Sequence, residues 1–191
     1  MRFIGDVHAK FDRYLQLTSE VSESIQVGDF GAGFKDIPEM GETHRFIRGN
    51  HDNPEVCRNH PNWIADGSLI GDMFFIGGGR SIDQHLRTTG LDWWPDEELS
   101  YEELCEAANK YEEVKPRIMV SHEVPLSAAR YFFGKHTFKN IPGSLTSKLL
   151  NVLFTIHQPE IWICGHWHQR KDEVIEGTRF IVLEELGVID L

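Results

Sequence analysis

The chain has few cysteines and no long apolar run. Its 191 residues include three cysteines, Cys57, Cys105 and Cys164. An odd number without CxxC spacing argues against a disulfide framework and against a thiolate zinc site. No run of about 18 apolar residues could span a bilayer. The segment Met1 to Asp6 also lacks the basic and apolar regions of an export signal. These absences predict a soluble, cytoplasmic protein that does not enter a membrane.

Basic residues are also scarce, with 19 Lys and Arg against 30 Asp and Glu and a formal net charge of −11. This balance opposes binding to duplex nucleic acid or to anionic lipid. It would also disfavour a phosphate-bearing substrate unless some carboxylates hold divalent cations, which would invert the local field. The ten histidines make such a metal site worth testing. The length, without repeats or linkers, predicts a single domain over residues 1–191.

Short apolar runs are repeatedly followed by polar residues that can bind metals, in most cases after a glycine. The predicted strands are Arg2–Ile4, Ile25–Val27, Arg45–Arg48, Arg117–Val120 and Ile161–Cys164. The residues that follow them include Asp6, Asp29, Asn50, His122 and His166. Because ligands gather at the carboxyl ends of strands in α/β sheets, this recurrence predicts one shared site.

The spacing within two of these segments supports a metal site. Asp6 and His8 are two residues apart, so at an extended strand end both side chains point the same way and can bind one ion. His166 and His168 have the same spacing and can supply one imidazole to each of two neighbouring ions. A carboxylate such as Asp29 is a natural bridge between two cations about 3.5 to 4 Å apart.

Helices are predicted between the strands, which gives a mixed α/β fold. Phe11–Ser22 carries an apolar stripe, Ser100–Val114 opens with a capping-box spacing, and Ser144–His157 is stopped by Pro159. Phe74–Ile76 is predicted to be a further strand. Val174–Ile181 is predicted to be a hairpin.

These segments, taken together, resemble the calcineurin-like metallophosphoesterases. The family pattern of DxH, GD, GNH with an acid, a lone His and GHxH occurs in order as Asp6-Val7-His8, Gly28-Asp29, Gly49-Asn50-His51-Asp52, His122 and Gly165-His166-Trp167-His168. The resemblance spans residues 5–168 and extends to small stand-alone members from phages and bacteria. A phage-encoded member would act in the host cytoplasm.

The resemblance implies a four-layer α/β/β/α sandwich of two mixed sheets flanked by helices. It implies a first metal on Asp6, His8 and His168, a second on Asn50, His122 and His166, and Asp29 as the bridge. Mixed imidazole and carboxylate ligands suit Mn²⁺, with Fe, Zn²⁺ or Ni²⁺ as alternatives, and two such ions turn a shared water into a bridging hydroxide that attacks the phosphate.

The resemblance also implies roles around the metals. His51 is expected to protonate or steady the leaving oxygen, and Asn50 and His51 to contact the substrate. The family usually has an acid where this chain has Ala32, so we expect Asp52 to take over part of that role by orienting His51.

The segment Arg80 to Pro95 is long and shows no clear periodicity, which is typical of functional loops. Arg80 and Arg87 are candidates to clamp a phosphate, and Trp93 and Trp94 to stack on a base. A core role for both tryptophans has equal weight. Small family members carry a similar Ser-Ile-Asp and Trp-Trp-Pro segment, which favours a lid over the metals.

The predicted function is hydrolysis of a phosphomonoester or phosphodiester, with a nucleotide or a nucleic-acid terminus as the favoured substrate. Two alternatives are a protein Ser/Thr phosphatase and a non-catalytic scaffold. The first lacks its usual GDxxDRG extension here, and the second should have lost ligands. Five histidines match no motif and are predicted to be structural: His44, His60, His85, His136 and His157.

Overall fold

The computed structural model describes residues 1–134 and 143–191. Within these residues the strands are β1 Arg2–Ile4, β2 Ser24–Val27, β3 His44–Ile47, β4 Leu69–Ile70, β5 Met73–Ile76, β6 Ile118–Ser121, β7 Ile161–Cys164, β8 Lys171–Ile175, β9 Thr178–Val182 and β10 Val188–Asp190. The helices are α1 Phe11–Thr18, α2 Pro54–Arg58, α3 Tyr101–Val114, α4 Leu126–Phe133 and α5 Leu145–Ile156. A short 3₁₀ turn covers Gln84–Leu86.

The strands form two mixed sheets. The first sheet has the order β10-β1-β2-β3, in which β1, β2 and β3 are parallel and β10 is antiparallel to β1. The second sheet has the order β4-β5-β6-β7-β9-β8, with β5, β6, β7 and β9 parallel and an antiparallel strand at each edge. The parallel strands of each sheet therefore deliver the residues that follow them to one edge of that sheet.

The two sheets pack face to face, with helices on both outer faces. Alternation along β5 illustrates the layers, because Phe75 packs into the core between the sheets while Phe74 and Ile76 pack into the core on the helical side. α3, α4 and α5 contribute to that helical core, and α1 covers the outer face of the first sheet through Phe11 and Tyr14. The predicted four-layer α/β/β/α sandwich is confirmed.

The predicted strands are all present within a residue or two of their expected bounds, and so are two of the three predicted helices. The capping box at the start of α3 is formed, since Glu103 N–H donates to Ser100 Oγ and Ser100 N–H donates to the Glu103 carboxylate. The predicted hairpin turns at Glu176 and Gly177, both with positive φ.

The first helix is shorter than predicted, ending at Thr18 instead of Ser22. The hydroxyl of Thr18 donates to the Tyr14 carbonyl, and that of Ser19 donates to the Gln16 carbonyl. Such side-chain bonds satisfy the last carbonyls locally and favour ending the helix over extending it. The prediction also missed α2 and α4. α2 has an Asn53 cap and Pro54 at its first position, a start signal that is readable in the sequence.

None of the helices in the described part of the chain has the length and apolarity that crossing a membrane requires.

Candidate metal centre

The candidate site lies where the carboxyl ends of both sheets meet. Asp6, Asp29 and Asn50 follow strands of the first sheet, and His122 and His166 follow strands of the second. Backbone bonds join these ends: the amides of Val7 and His8 donate to the Asp29 carbonyl at 2.9 and 2.8 Å, and Gly165 N–H donates to the His122 carbonyl at 3.1 Å. The seven predicted ligands are thus brought together from five segments of the chain.

The donor atoms fall into two sets. The first set comprises Asp6, His8 and His168 together with Asp29. One ligand atom from each of these four residues lies within 4.8 Å of the others, so the group could hold a metal ion. His168 Nε2 is 2.9 Å from Asp6 Oδ2 and 3.0 Å from His8 Nε2, while His8 Nε2 is 3.9 Å from Asp29 Oδ2. Imidazole nitrogens and carboxylate oxygens in this arrangement suit first-row transition metals.

A second set of donor atoms, the second set, comprises Asn50, His122 and His166, again together with Asp29. Asn50 Oδ1 is 2.9 Å from His166 Nδ1 and 3.1 Å from His122 Nε2. His122 Nε2 is 3.4 Å from Asp29 Oδ1, so the two oxygens of Asp29 face different sets. The arrangement has the composition and sharing expected of a two-metal site.

Glycines before the ligands allow this close approach. A Cβ at Gly165 would lie well inside van der Waals contact of the Asp6 carboxylate, and a Cβ at Gly49 would overlap Asp29 in the same way. Four of the predicted ligands adopt left-handed backbone angles: His8, Asp29, His166 and His168 have φ between 47° and 67°. Such conformations are costly for residues other than glycine and cluster at functional sites.

The buried carboxylates are electrostatically unequal. Burial, with the neighbouring charges of Asp6 and Asp52, raises the pKa of Asp29 well above its usual value. Burial would also raise the pKa of Asp6, but the hydrogen bond with His168 and the charge of His122 hold it below its usual value. Burial lowers the pKa of His122 to about 4, which keeps its imidazole neutral, as a metal ligand must be.

Comparison with known proteins decides the family. The family model for calcineurin-like phosphoesterases matches residues 2–170, most of the chain. The chain belongs to this family. Proteins of this family use divalent metals, in agreement with the metal-competent cluster around Asp29. A search of proteins of curated function gave no significant match.

A solved structure similar to this chain is a 2.05 Å crystal structure of a Staphylococcus aureus protein assigned as a 5'-nucleotidase, in complex with alpha-ketoglutarate. The two share 13% sequence identity with a TM-score of 0.51. The similarity covers 98% of this chain but 49% of the other, so this chain spans about half the length of that protein. At this identity the likeness supports the fold alone.

His51 lies beside Asp29, the predicted shared ligand. Its amide donates to Asp29 Oδ1 at 2.9 Å, and its Nε2 is 3.9 Å from Asp29 Oδ2. The Arg87 guanidinium is 3.4 Å from the same His51 Nε2 and is itself held by Asp83 through two hydrogen bonds of 2.7 and 2.8 Å. Burial, together with the charges of Arg87 and His8, lowers the pKa of His51 to about 3. The imidazole is therefore neutral at pH 7 in the metal-free protein.

The role predicted for Asp52 needs correction. Its fully buried carboxylate accepts hydrogen bonds from the amides of Gly49, Phe30, Gly31 and Ala32 at 2.6 to 3.0 Å. Every hydrogen bond it makes in the described structure is to backbone, and none is to the His51 ring. Asp52 therefore ties the loop after β3 to the loop after β2, and it acts on the site only through the backbone.

Sequence reasoning missed Glu123, which is buried beside the second set. Glu123 Oε2 is 3.2 Å from His166 Nε2, and Oε1 accepts from Trp167 Nε1 at 2.8 Å. Because Nε2 of His166 faces Glu123, its Nδ1 faces Asn50. Although burial lowers it, the pKa of His166 rises to about 9 in the metal-free protein because of the Glu123 carboxylate. The position of Glu123 directly after His122 was the one available signal.

The two tryptophans are not where a stacking role requires them. A cavity of about 410 Å³ lies against the donor atoms and is lined by the loop Arg80–Asp83, by Leu126 and by Trp167. Neither Trp93 nor Trp94 lines it. Trp94 is buried with its ring edge-on to Phe34, and Trp93 borders a separate cavity of about 770 Å³. The start of the Arg80 to Pro95 segment adjoins the site, whereas the tryptophans anchor the segment elsewhere.

Those histidines without a motif that the structure describes lie outside both donor sets. His44 is hydrogen-bonded to Ser24 at 3.0 Å and His157 to the Pro116 carbonyl at 2.9 Å. His60 packs against Phe46. His136 lies outside the described residues.

Proposed function

We propose that this chain is a binuclear phosphoesterase that hydrolyses a phosphomonoester or phosphodiester. It would hold two divalent cations, and Mn²⁺ is the first candidate for both. The observation that carries the proposal is the position of Asp29, whose two carboxylate oxygens face different donor sets. Asp6, His8 and His168 would hold one ion, and Asn50, His122 and His166 the other. The two cations supply an activated water and positive charge for the phosphate oxygens.

The residues around the donor sets have separable tasks. His51 Nε2 lies 3.9 Å from Asp29 Oδ2, and Asp29 is common to both sets. From this position the His51 imidazole can stabilise the leaving oxygen. Arg87 lies against His51 and is held by Asp83, so its position is set before a substrate arrives. Asn50 uses its amide nitrogen for Ser81, which leaves its carbonyl oxygen for the metal and favours the ligand role over direct substrate contact.

The cavity beside the donor atoms supports a substrate with an apolar or aromatic leaving group. Ile82, which is 66% exposed, contributes to its wall together with Leu126 and Trp167. Arg80 also lines this cavity, and within the described residues its guanidinium has no hydrogen bond or ion pair, so it is available to an anionic substrate. A nucleotide or a nucleic-acid terminus combines these two features. The similar Staphylococcus protein, assigned as a 5'-nucleotidase, is consistent with this class.

The direct test uses metal-free protein reconstituted with Mn²⁺. Hydrolysis of p-nitrophenyl phosphate and bis(p-nitrophenyl) phosphate is measured in parallel at neutral to alkaline pH, with bound Mn²⁺ counted by elemental analysis. We expect two Mn²⁺ per chain and metal-dependent release from at least one substrate, and the ratio of the two rates gives the mono- or diesterase preference. A panel of nucleoside phosphates then tests the proposed leaving group.

The alternatives predict different results. A protein Ser/Thr phosphatase would release phosphate from phosphopeptides faster than from nucleotides. A non-catalytic scaffold would hydrolyse neither aryl phosphate nor nucleotide, whether or not it binds Mn²⁺. The seven residues predicted to bind the metals lie together around Asp29, with His51 beside it, which supports catalysis over a scaffold.

A further inference from the structure

A buried chain of hydrogen bonds runs from the metal ligand Asn50 to a carboxylate 47 positions away in the sequence. Asn50 Nδ2 donates to Ser81 Oγ at 3.0 Å, and Ser81 Oγ–H donates to Glu97 Oε2 at 2.6 Å. The other Glu97 oxygen accepts from the Ser81 amide at 3.0 Å. All three side chains are buried, with residue exposures of 2%, 3% and 3% in the order Asn50, Ser81, Glu97. A buried carboxylate held in this way requires its hydrogen-bond donors.

The donor-to-acceptor direction of these hydrogen bonds determines the orientation of the Asn50 side-chain amide. A carboxylate only accepts hydrogen bonds, so the Ser81 hydroxyl must donate its hydrogen bond to Glu97. The Ser81 oxygen then has only lone pairs to offer, and only the NH₂ end of Asn50 can face it. The carbonyl end must therefore point the other way, where Oδ1 lies 2.9 Å from His166 Nδ1 and 3.1 Å from His122 Nε2. The Glu97 carboxylate thus determines that the carbonyl oxygen of Asn50, and not its NH₂ group, faces the second set.

Glu97 lies just after the segment Arg80 to Pro95, in a turn that begins at Trp94. The Glu97 amide donates to the Trp94 carbonyl at 3.0 Å, and the Arg48 guanidinium donates to the Glu97 carbonyl at 2.8 Å. Trp94 is buried against Phe34, which anchors this turn. The end of the segment Arg80 to Pro95 thereby anchors a turn that holds a carboxylate behind the predicted ligand Asn50.

We infer that Glu97 and Ser81 are positioning residues that orient the Asn50 carbonyl toward the second metal and so set the affinity of that site. The inference rests on the proposed second metal site. Partners that orient a metal ligand typically contribute about 10- to 100-fold to metal affinity. A role confined to stability would instead tolerate an isosteric change that keeps the hydrogen bonds.

The decisive variant is Glu97→Gln. It keeps the size of the side chain but introduces an NH₂ donor, which lets Ser81 turn its hydroxyl proton toward Asn50 and stabilises the reversed amide. Isothermal titration of metal-free protein with Mn²⁺ should then show one site unchanged and one weakened by about 10-fold or more. Ser81→Ala removes the acceptor and should weaken the same site. The EPR signal of the coupled Mn²⁺ pair should give way to that of isolated Mn²⁺ at two equivalents.

The matched control is Ser24→Ala. Ser24 is also buried and hydrogen-bonded, to His44 at the far end of the first sheet, so this variant loses a buried hydroxyl without touching Asn50. It should bind both ions as the wild type does. If both sites kept their wild-type Mn²⁺ affinity in Glu97→Gln and in Ser81→Ala, the inference would be overturned and the proposed binuclear function would stand. A wild-type protein that binds a single Mn²⁺ would overturn the proposed binuclear function, and this inference with it.

Discussion

The two donor sets differ in how firmly their side chains are held. In the second set each non-bridging ligand has a partner on its far side: Asn50 has Ser81, His122 Nδ1 has the Val27 carbonyl at 3.0 Å, and His166 Nε2 has Glu123. In the first set the side chains of His8 and His168 are 25% and 47% exposed. Within the described structure neither of these rings has a hydrogen-bond partner at Nδ1.

The difference shows how one site can combine rigidity with access. Ligands with fixed outer partners are oriented before a metal binds, so little ordering accompanies binding. Ligands that face solvent must be ordered by the metal itself. We therefore expect the second set to hold its cation more tightly and the first set to exchange its cation more readily. The predictions below test that contrast, from the largest expected effect to the smallest.

Removing the shared ligand should abolish the contrast altogether. Asp29→Asn replaces a carboxylate that faces both sets with an amide that offers a single oxygen, so both sites should weaken and Mn²⁺-dependent hydrolysis should fall by about 10²-fold or more. Bound Mn²⁺ is counted by elemental analysis after equilibrium dialysis. Asp36→Asn, an exposed change, is the control. Two fully bound Mn²⁺ in Asp29→Asn would exclude the bridging role.

Removing the charge behind His166 should make the second set resemble the first. Glu123→Gln keeps the shape of the side chain but loses the carboxylate that lies 3.2 Å from His166 Nε2. We expect Mn²⁺ to bind the second set about 10- to 100-fold more weakly, with the first set little changed. Titration calorimetry measures both sites. Glu112→Gln, on the exposed face of α3, should match the wild type, and an unchanged Glu123→Gln would show that His166 needs no such partner.

Chelation should distinguish the two sets in the unmodified protein. On mixing the Mn²⁺-loaded protein with excess EDTA, we expect two phases of metal release whose rates differ by about tenfold, because one set of ligands is pre-oriented and the other is not. The faster phase belongs to the first set, so His168→Ala should remove it and leave the slower one. A single phase would mean that the two cations leave together and that the contrast in side-chain support has no kinetic consequence.

The smallest effect is expected outside both sets. Trp93 borders the separate cavity and not the one beside the donor atoms, so Trp93→Ala should change KM for nucleoside phosphates by less than about twofold while Ile82→Ala raises it further. The ratio of the two KM changes is the measurement. A larger rise in KM for Trp93→Ala than for Ile82→Ala would restore the stacking interpretation.

The elements and ligands that were predictable share a local signature. Each strand is a short apolar run, each ligand follows within a few residues, and the glycines between them are needed because a Cβ would overlap a neighbouring ligand. Periodicity and spacing carry this information within a window of a few residues. The convergence of Asp6, Asp29, Asn50, His122 and His166 was therefore predictable without coordinates.

The supporting residues were not predictable because their partners are remote in sequence. Glu97 acts on Asn50 through Ser81, and nothing near Glu97 distinguishes it from the solvated acids that surround it. Asp52 adjoins His51 in sequence, yet its carboxylate turns to the amides of another loop. For Trp94 the sequence left a stacking role and a core role open, and only the packing, which uses its ring as an anchor against Phe34, separates the two.

The left-handed backbone of His8, Asp29, His166 and His168 couples cation occupancy to folding. Each such residue costs about 1 to 3 kcal/mol, and the buried carboxylates of Asp6 and Asp29 repel one another in the absence of counter-charge. A cation that binds only the native chain offsets these costs through mass action. Thermal denaturation thus becomes a gauge of occupancy: the melting temperature should track free Mn²⁺ even for a variant that hydrolyses nothing.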